Sequence, residues 1–222
     1  ELPFDTEFVT YVWFDALINY ISFIGYIPDD SLPDFKSTWT DRPLHIIGKD
    51  ILVPAHGIYW LAMLRALGFA EDRMPQLLVH GWWNRSGEKM SKSLGNIVDP
   101  VELADTFGVD ALRYYLVRDI HTGKDSNFDV ERLVMLYNTE LANELGNLCN
   151  RALNMSVRFT DGIISPGGAL SEDDTALQQS LIDSTAAYRK AMDHHEISMG
   201  LEALNRHVSH CNQYAERMKP WE

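Results

Sequence analysis

Cysteine and long apolar runs are scarce in this chain of 222 residues. Cys149 and Cys211 are the only two cysteines, they lie far apart, and neither belongs to a C-x-x-C pattern. The sequence therefore supports neither a zinc knuckle nor a disulfide framework, and we predict that both thiols are small buried hydrophobes. Because no apolar run is long enough to cross a bilayer and residues 1–5 lack the features of a signal peptide, we expect a cytoplasmic protein without a membrane partner.

Basic side chains are also few, with 19 Lys and Arg against 32 Asp and Glu, which gives a formal net charge of -13. Such a charge argues against a protein that is held on DNA or RNA by bulk electrostatics, and DNA is not expected as a partner. The charge is uneven, because Glu88 is the only acid between Arg73 and Val98. Any RNA contact should therefore be confined to a small part of the surface.

The most informative segment lies inside this less acidic stretch and reads Lys89-Met90-Ser91-Lys92-Ser93. The two lysines are three residues apart, in a loop that Ser86-Gly87 opens and Gly95-Asn96 follows. Two ammonium groups and flexible backbone N–H groups suit a polyphosphate, so the loop predicts a site for ATP. A solvated basic turn would explain a bare K-x-x-K equally well.

Residues 1–80 have an α/β pattern. We predict strands at residues 10–12, 44–47 and 76–79, with helices from about Asp15 and from about Pro54 to Leu67, which fits one side of a doubly wound sheet. Ligands of such sheets bind outside the carboxyl ends of the strands, so Trp13, residues 48–50 and residues 80–93 should share one edge. Asp99 and Pro100 predict the start of another helix.

The second half has helical periodicity. We predict one long amphipathic helix over residues 129–159, a second helix from the Ser171 cap towards His194, and a third from about Glu196 to Pro220, which together form a bundle. A polar stripe on the long helix consists of Asn147, Arg151, Asn154 and Arg158. This stripe is either a solvated face or a binding face.

Five segments in this order resemble the methionyl-tRNA synthetases, a family of class I aminoacyl-tRNA synthetases. They are residues 8–20 (FVTYVWFDALINY), 45–51 (HIIGKDI), 89–93 (KMSKS), 110–116 (DALRYYL) and 141–148 (LANELGNL). The resemblance implies the second half of a Rossmann-like catalytic domain in residues 1–80, a KMSKS-bearing stem-contact region in 81–144 and a helical anticodon-binding domain in 145–222. It implies activation of methionine by ATP and transfer to tRNA(Met), with Mg²⁺ as a companion of ATP.

The resemblance also assigns roles in the nucleotide site. Lys92 is the principal contact to the departing pyrophosphate, Lys89 supports it, and Ser91 belongs to the same ATP-binding loop. Gly48 and Asp50 would hold the ribose, since glycine lets the backbone approach and a carboxylate accepts hydrogen bonds from hydroxyl groups. Taken without the family, Asp50 is equally well explained as a helix cap.

The methionine pocket implied by the resemblance is aromatic and consists of Trp13, Ala16, Leu17, Tyr20 and Ile51. A polarizable thioether packs well against ring edges, although such spacing is also that of an ordinary core. His56 follows Asp50 by six residues where the family has five. Either the helix start bulges by one residue or His56 points away from the pocket.

For tRNA, the resemblance assigns anticodon recognition to Asn147, Arg151 and Trp221. Edge hydrogen bonds and an aromatic plane are the means by which proteins read unstacked bases. The H-I-G-H half of the catalytic site and its zinc-bearing insertion have no counterpart in these residues. We therefore expect a C-terminal fragment that is inactive alone, with a valine, isoleucine or leucine enzyme and a non-catalytic tRNA-binding or assembly module as the alternatives.

Overall fold

The computed structural model describes residues 3–28, 33–39, 42–164 and 167–221, without the side chains of Asp34 and Lys92. The chain divides into two compact units, Glu1–Trp82 and Trp83–Glu222. Each unit has its own sheet and its own apolar cluster.

The first unit alternates helices and strands. Its elements are α1 (Val12–Ser22), α2 (Pro33–Thr38), β1 (Leu44–Gly48), a 3₁₀ turn (Lys49–Ile51), a π-helical segment (Leu52–Trp60) that continues into α3 (Leu61–Ala66), a second 3₁₀ turn (Glu71–Arg73) and β2 (Gln76–His80).

Strands β1 and β2 are parallel, with Leu44 opposite Gln76 and Gly48 opposite His80. This pairing confirms the strands predicted at residues 44–47 and 76–79. The prediction of a strand at residues 10–12 is wrong. Helix α1 already begins at Val12, and Tyr11 precedes the helix with an extended backbone (φ -70°, ψ 128°). The β-branched and aromatic residues there favour a strand locally, whereas burial of one face of α1 favours the helix.

A cluster of buried side chains from α1, α2, the long helical segment and the loop before β2 forms the core of this unit: Leu17, Ile21, Phe35, Trp39, Trp60, Leu64, Phe69 and Met74. Burying a side chain of this size contributes about 1.5–3 kcal/mol before the entropy cost. The cluster therefore holds α1 against the helix that runs from Leu52 to Ala66.

That helix differs from the predicted one at its start. Its first turns are π-helical, Val53 has a non-helical backbone (φ -118°, ψ 126°), and the regular α3 begins only at Leu61. It ends where predicted, since Leu67 follows α3 and Gly68 has a positive φ of 86°.

The second unit contains a small sheet and then helices. Its elements are β3 (Trp83–Arg85), β4 (Glu88–Lys89), a 3₁₀ turn (Lys92–Leu94), α4 (Pro100–Phe107), α5 (Val109–Arg118), β5 (Ser126–Asn127), α6 (Val130–Leu136), a π-helical segment (Tyr137–Gly146), α7 (Asn147–Thr160), α8 (Glu172–Asp193) and α9 (Ile197–Met218).

The helix start predicted at Asp99 and Pro100 is confirmed. The Asp99 carboxylate accepts a 2.8 Å hydrogen bond from the Val101 N–H, and Pro100 is the first residue of α4. Strand β3 pairs with β4 on one side and β5 on the other. The cluster beside this sheet buries Leu112, Tyr115, Phe128, Leu133 and Leu136.

The long helix predicted over residues 129–159 is confirmed as α6, the π-helical segment and α7 in unbroken succession from Val130 to Thr160. Its predicted apolar face is only partly buried: Leu133 and Leu136 are in the core, but Leu145 is 43% exposed. The wider turns of the π-helical segment rotate the following residues relative to the preceding ones, so one sequence stripe does not stay on one face.

A partly buried polar network joins the helices of the second unit. Glu140 accepts hydrogen bonds from the Tyr114 hydroxyl at 2.5 Å and from two nitrogens of Arg118 at 3.1 and 2.9 Å. The Asn205 side chain of α9 donates to the Tyr114 oxygen at 2.6 Å. Burial raises the pKa of Tyr114 to about 12, so the phenol stays protonated and donates to Glu140.

The last two helices begin as predicted. Ser171 and Asp174 form a reciprocal capping box at the start of α8, and α9 follows Glu196. The prediction of two buried cysteines is wrong. Cys149 is exposed on the same side of α7 as Leu153 and Val157, and Cys211 is half-buried, with its sulfur 3.4 Å from His207 Nε2.

Candidate functional site

One face of α1 carries the residues predicted to line an aromatic pocket. Trp13 and Tyr20 both pack edge-on against the His56 ring, with centroids 6.2 and 5.6 Å apart. Ala16 is exposed on the same helix. Leu17 is 1% exposed and belongs to the core beneath, so the structure places it deeper than the other three.

The His56 ring is fixed by hydrogen bonds at both nitrogens. Nδ1 lies 2.8 Å from the Ile51 carbonyl oxygen and Nε2 lies 2.9 Å from the Tyr20 hydroxyl oxygen. Because a carbonyl can only accept, Nδ1 carries a proton, and in the neutral ring Nε2 then accepts from the Tyr20 hydroxyl. His56 is thus turned towards Trp13 and Tyr20. The π-helical start of its helix has wider turns, and these accommodate the one additional residue between Asp50 and His56.

The turn after β1 brings a carboxylate close to a glycine. A Cβ atom on Gly48 would lie 2.6 Å from Asp50 Oδ1 and 3.7 Å from His80 Cε1. Asp50 is inside the Lys49–Ile51 turn, and the cap positions of this turn and of the helical segment that follows are Gly48 and Ile51. The Lys49 ammonium lies 4.2 Å from the centre of the Trp82 ring.

Asn96 closes the predicted phosphate loop of the second unit, although the sequence indicated only that Gly95-Asn96 follows the loop. Asn96 accepts a 2.8 Å hydrogen bond from the Ser91 N–H and donates a 3.3 Å bond to the Lys89 carbonyl. The Ser91 hydroxyl accepts from the Leu94 N–H at 3.3 Å. Lys89 and Ser91 are therefore brought together, while the Lys92 side chain lies outside the described residues.

The base of this loop is anchored. Ser86 and Gly87, both with positive φ (53° and 81°), form the turn between β3 and β4. The Gly87 N–H donates to Asn127 Oδ1 at 2.9 Å, and Met90 packs against the cluster that contains Tyr115. The candidate ATP residues thus lie in two units, Gly48 and Asp50 in the first and Lys89 and Ser91 in the second.

A groove of about 690 Å³ brings all three predicted anticodon residues together. Its lining comes from α7, the end of α9 and the third residue beyond α9: Asn147, Asn150, Arg151, Asn154, Met155, Arg158, Phe159, Glu216 and Trp221. The Arg151 guanidinium lies 5.7 Å from the centre of the Trp221 ring and forms a 2.7 Å ion pair with Glu216. Sequence reasoning missed Glu216, which has no local signal because its partner is 65 residues away.

The part of the chain that the structure describes shows neither a cluster of metal-ligating side chains nor a membrane-spanning helix. It contains no group of three or more His, Cys, Asp or Glu side chains that could hold a metal ion. None of its helices is long and apolar enough to cross a membrane.

The chain has the fold of a class I tRNA synthetase, with helices and small sheets, as comparison with known proteins shows. A sequence profile described as "tRNA synthetases class I (M)" matches residues 1–153. The chain therefore belongs to this family of class I synthetases.

Individual relatives extend the match over the whole chain. The methionine–tRNA ligase of Lactococcus lactis subsp. lactis is 40% identical over 220 residues, which cover 99% of this chain and 32% of that protein. The methionine–tRNA ligase of Bacillus subtilis is 40% identical over 222 residues and 33% of its length is covered. A crystal structure of Mycobacterium tuberculosis methionyl-tRNA synthetase bound by methionyl-adenylate superposes with a TM-score of 0.87 and 38% identity, covering all of this chain and 42% of that one. The chain thus spans about a third of the length of these curated relatives.

Proposed function

We propose that this chain is part of a methionine–tRNA ligase. Such an enzyme forms methionyl-adenylate and pyrophosphate from methionine and ATP, and then transfers the methionyl group to the 3′ end of tRNA(Met). The observation that carries the proposal is the similarity, at about 40% identity over nearly the whole chain, to proteins named methionine–tRNA ligase. The same similarity disfavours an enzyme for valine, isoleucine or leucine.

In the activation step, the lysine loop would stabilise the charge that develops on the departing pyrophosphate. Lys92 is the proposed principal cation, with Lys89 in support, and the hydrogen bonds of Asn96 give the loop a defined shape before ATP arrives. Preorganised cations stabilise a transition state more than a ground state in which that charge has not formed. Mg²⁺ would enter with the phosphates of ATP, as it commonly does, rather than in a cage of protein side chains.

Gly48 and Asp50 are proposed to hold the ribose of ATP. The close approach at Gly48 leaves the Asp50 carboxylate beside the backbone at the carboxyl end of β1, where nucleotides bind in open α/β sheets. Trp13, Ala16, Tyr20, Ile51 and His56, with Leu17 beneath, are proposed to form the methionine pocket.

The groove of the second unit is proposed to read the anticodon of tRNA(Met). Asn147 and Arg151 offer hydrogen bonds to base edges, and Trp221, which is 40% exposed, offers a plane for stacking. We propose a cytoplasmic location for the protein, on the ground of this proposed role in translation.

The test is methionine-dependent exchange between ATP and pyrophosphate, measured on the protein encoded by the whole parent gene. We expect exchange with methionine, a loss of about 10²–10³-fold in kcat for Lys92→Ala, and a smaller loss for Lys89→Ala. Lys190→Ala, an exposed lysine on α8, is the matched control and should retain the activity of the unchanged parent.

Three outcomes discriminate the alternatives. ATP–pyrophosphate exchange with another amino acid but not with methionine would leave the class I assignment intact and overturn the proposed specificity for methionine. No exchange with any amino acid, together with retained tRNA binding, would favour the non-catalytic module. The 222-residue chain should show no exchange on its own, because the resemblance implies that half of the nucleotide site lies outside it.

A further inference from the structure

His45 is a buried histidine to which the proposed function gives no role. It lies in β1, where the burial alternates along the strand and turns His45 and Ile47 to the interior. Only 7% of its surface is exposed. A histidine is seldom buried this deeply in a short strand unless it makes specific contacts with its neighbours.

Three aromatic rings surround His45. The closest is Tyr20, with centroids 4.4 Å apart and an interplanar angle of 82°, followed by Trp39 at 5.7 Å and Trp60 at 6.2 Å. Edge-to-face pairs at such distances are attractive and depend on orientation. The tight contact with Tyr20 therefore restrains where the tyrosine ring can lie.

Tyr20 is also the residue whose orientation matters most in the proposed pocket. Its ring lies between His45 and His56, and its hydroxyl reaches His56 Nε2 at 2.9 Å. A change in the direction of the Tyr20 side chain about its Cα–Cβ bond would move the hydroxyl off His56, break this hydrogen bond and tilt the surface that α1 presents beside Trp13.

The His45 ring is uncharged at neutral pH. Burial lowers its pKa to about 4, and His56 acts in the same direction. The titratable side chains that share its aromatic surroundings are Tyr20 from α1, whose pKa burial raises, and His56 from the π-helical segment. A neutral ring keeps charge away from the place where an apolar thioether would bind.

We propose that His45 is a positioning residue for methionine recognition: its ring fixes the Tyr20 ring, so that the Tyr20 hydroxyl stays on His56 and the aromatic face keeps its shape. This proposal rests on the proposed function. His45 touches Tyr20 rather than the substrate, and its ring shape matters more than its nitrogens.

The experiment compares His45→Ala with His45→Phe in the full-length parent, by ATP–pyrophosphate exchange. For His45→Ala we expect the KM for methionine to rise about three- to tenfold, the cost of one lost edge-to-face pair, while kcat and the KM for ATP stay within about twofold. His45→Phe retains a ring and should keep the KM for methionine near that of the parent. Leu64→Ala, which removes a fully buried core side chain, is the control for destabilisation alone and should leave all three constants near those of the parent.

A spectroscopic readout is independent of activity. In the chain labelled with ¹⁵N-histidine, with His56 assigned through His56→Gln, the His56 Nε2 resonance should show a hydrogen-bonded acceptor in the unchanged protein and in His45→Phe, and should lose that character in His45→Ala. If His45→Ala does not fold, His45→Leu, which fills similar space without a ring, carries the same expectations.

The proposal is overturned if His45→Ala leaves both the KM for methionine and the His56 resonance unchanged, or if His45→Phe is as impaired as His45→Ala. A parent that shows no methionine-dependent exchange would instead refute the proposed function, and the ¹⁵N resonance would then decide by itself whether His45 positions Tyr20.

Discussion

At the scale of single residues, Gly48 has little room for a side chain. Its backbone is ordinary (φ -71°, ψ 148°), so any residue could adopt the conformation. The restriction is space, because a methyl group there would meet Asp50 Oδ1 at 2.6 Å. The carboxylate is the end of a flexible side chain, so its displacement would relieve the steric clash at the lowest cost in free energy.

We therefore predict that Gly48→Ala displaces the Asp50 carboxylate without unfolding the protein. In the full-length parent, the KM for ATP should rise by about tenfold, the cost of one hydrogen bond to a charged group, with little change in the KM for methionine. Steady-state exchange kinetics measure both constants. Gly167→Ala, at a position with open space, is the matched control, and an unchanged KM for ATP in Gly48→Ala would argue against a ribose role for this turn.

At the scale of elements, the π-helical segment Tyr137–Gly146 aims Glu140 into the interface between α5 and α9. The Glu140 and Arg118 side chains are only 18% and 19% exposed, so their ion pair is shielded from water and salt. A shielded pair loses more than an exposed pair when one partner changes, because the remaining charge stays unpaired.

We predict that Glu140→Gln lowers the free energy of unfolding of the chain by about 1–3 kcal/mol, since the amide cannot match both nitrogens of Arg118. Urea unfolding followed by circular dichroism provides the measurement. Glu202→Gln changes an exposed pair with Arg206 at 3.6 Å and should cost no more than about 0.5 kcal/mol. Equal losses in the two variants would show that the Glu140 network adds no special stability.

At the scale of the whole molecule, a net charge of -13 limits how the protein can hold RNA. Two arginines, Arg151 and Arg158, line the proposed anticodon groove, and Arg151 is already paired with Glu216. Stacking on Trp221 and base-edge contacts should therefore contribute more to affinity than phosphate neutralisation does.

For binding of an anticodon stem-loop RNA to the parent, we predict a shallow salt dependence. With about one phosphate contact, from Arg158, log K should fall with log salt concentration at a slope of about -0.7. Trp221→Ala should weaken binding by about 1–3 kcal/mol at every salt concentration, Trp221→Phe should keep most of the affinity, and Arg158→Ala should reduce the slope by about 0.7. Fluorescence anisotropy titrations would measure these values, and a slope several times steeper would contradict focal recognition.

Much of the fold was readable from local patterns. Strands β1 and β2, the caps at Asp99 and Ser171, the end of α3 before Gly68 and the three long helices follow from apolar periodicity and from capping residues, which act over a few positions. The lysine loop was equally visible, because its residue types stand together in the chain.

Tertiary structure decided what depends on contacts between distant residues. It turned residues 12–14 into a helix, left Cys149 exposed, and rotated His56 onto Tyr20 through a π-helical start. It also joined Glu216 to Arg151 and placed His45 beneath Tyr20. The sequence by itself determined the family, whose motifs are runs of neighbouring residues. It also determined most of the helices and strands, since these rest on short-range preferences. The orientation of each side chain in the candidate sites depended on packing against partners tens of residues away, and no local pattern encodes that.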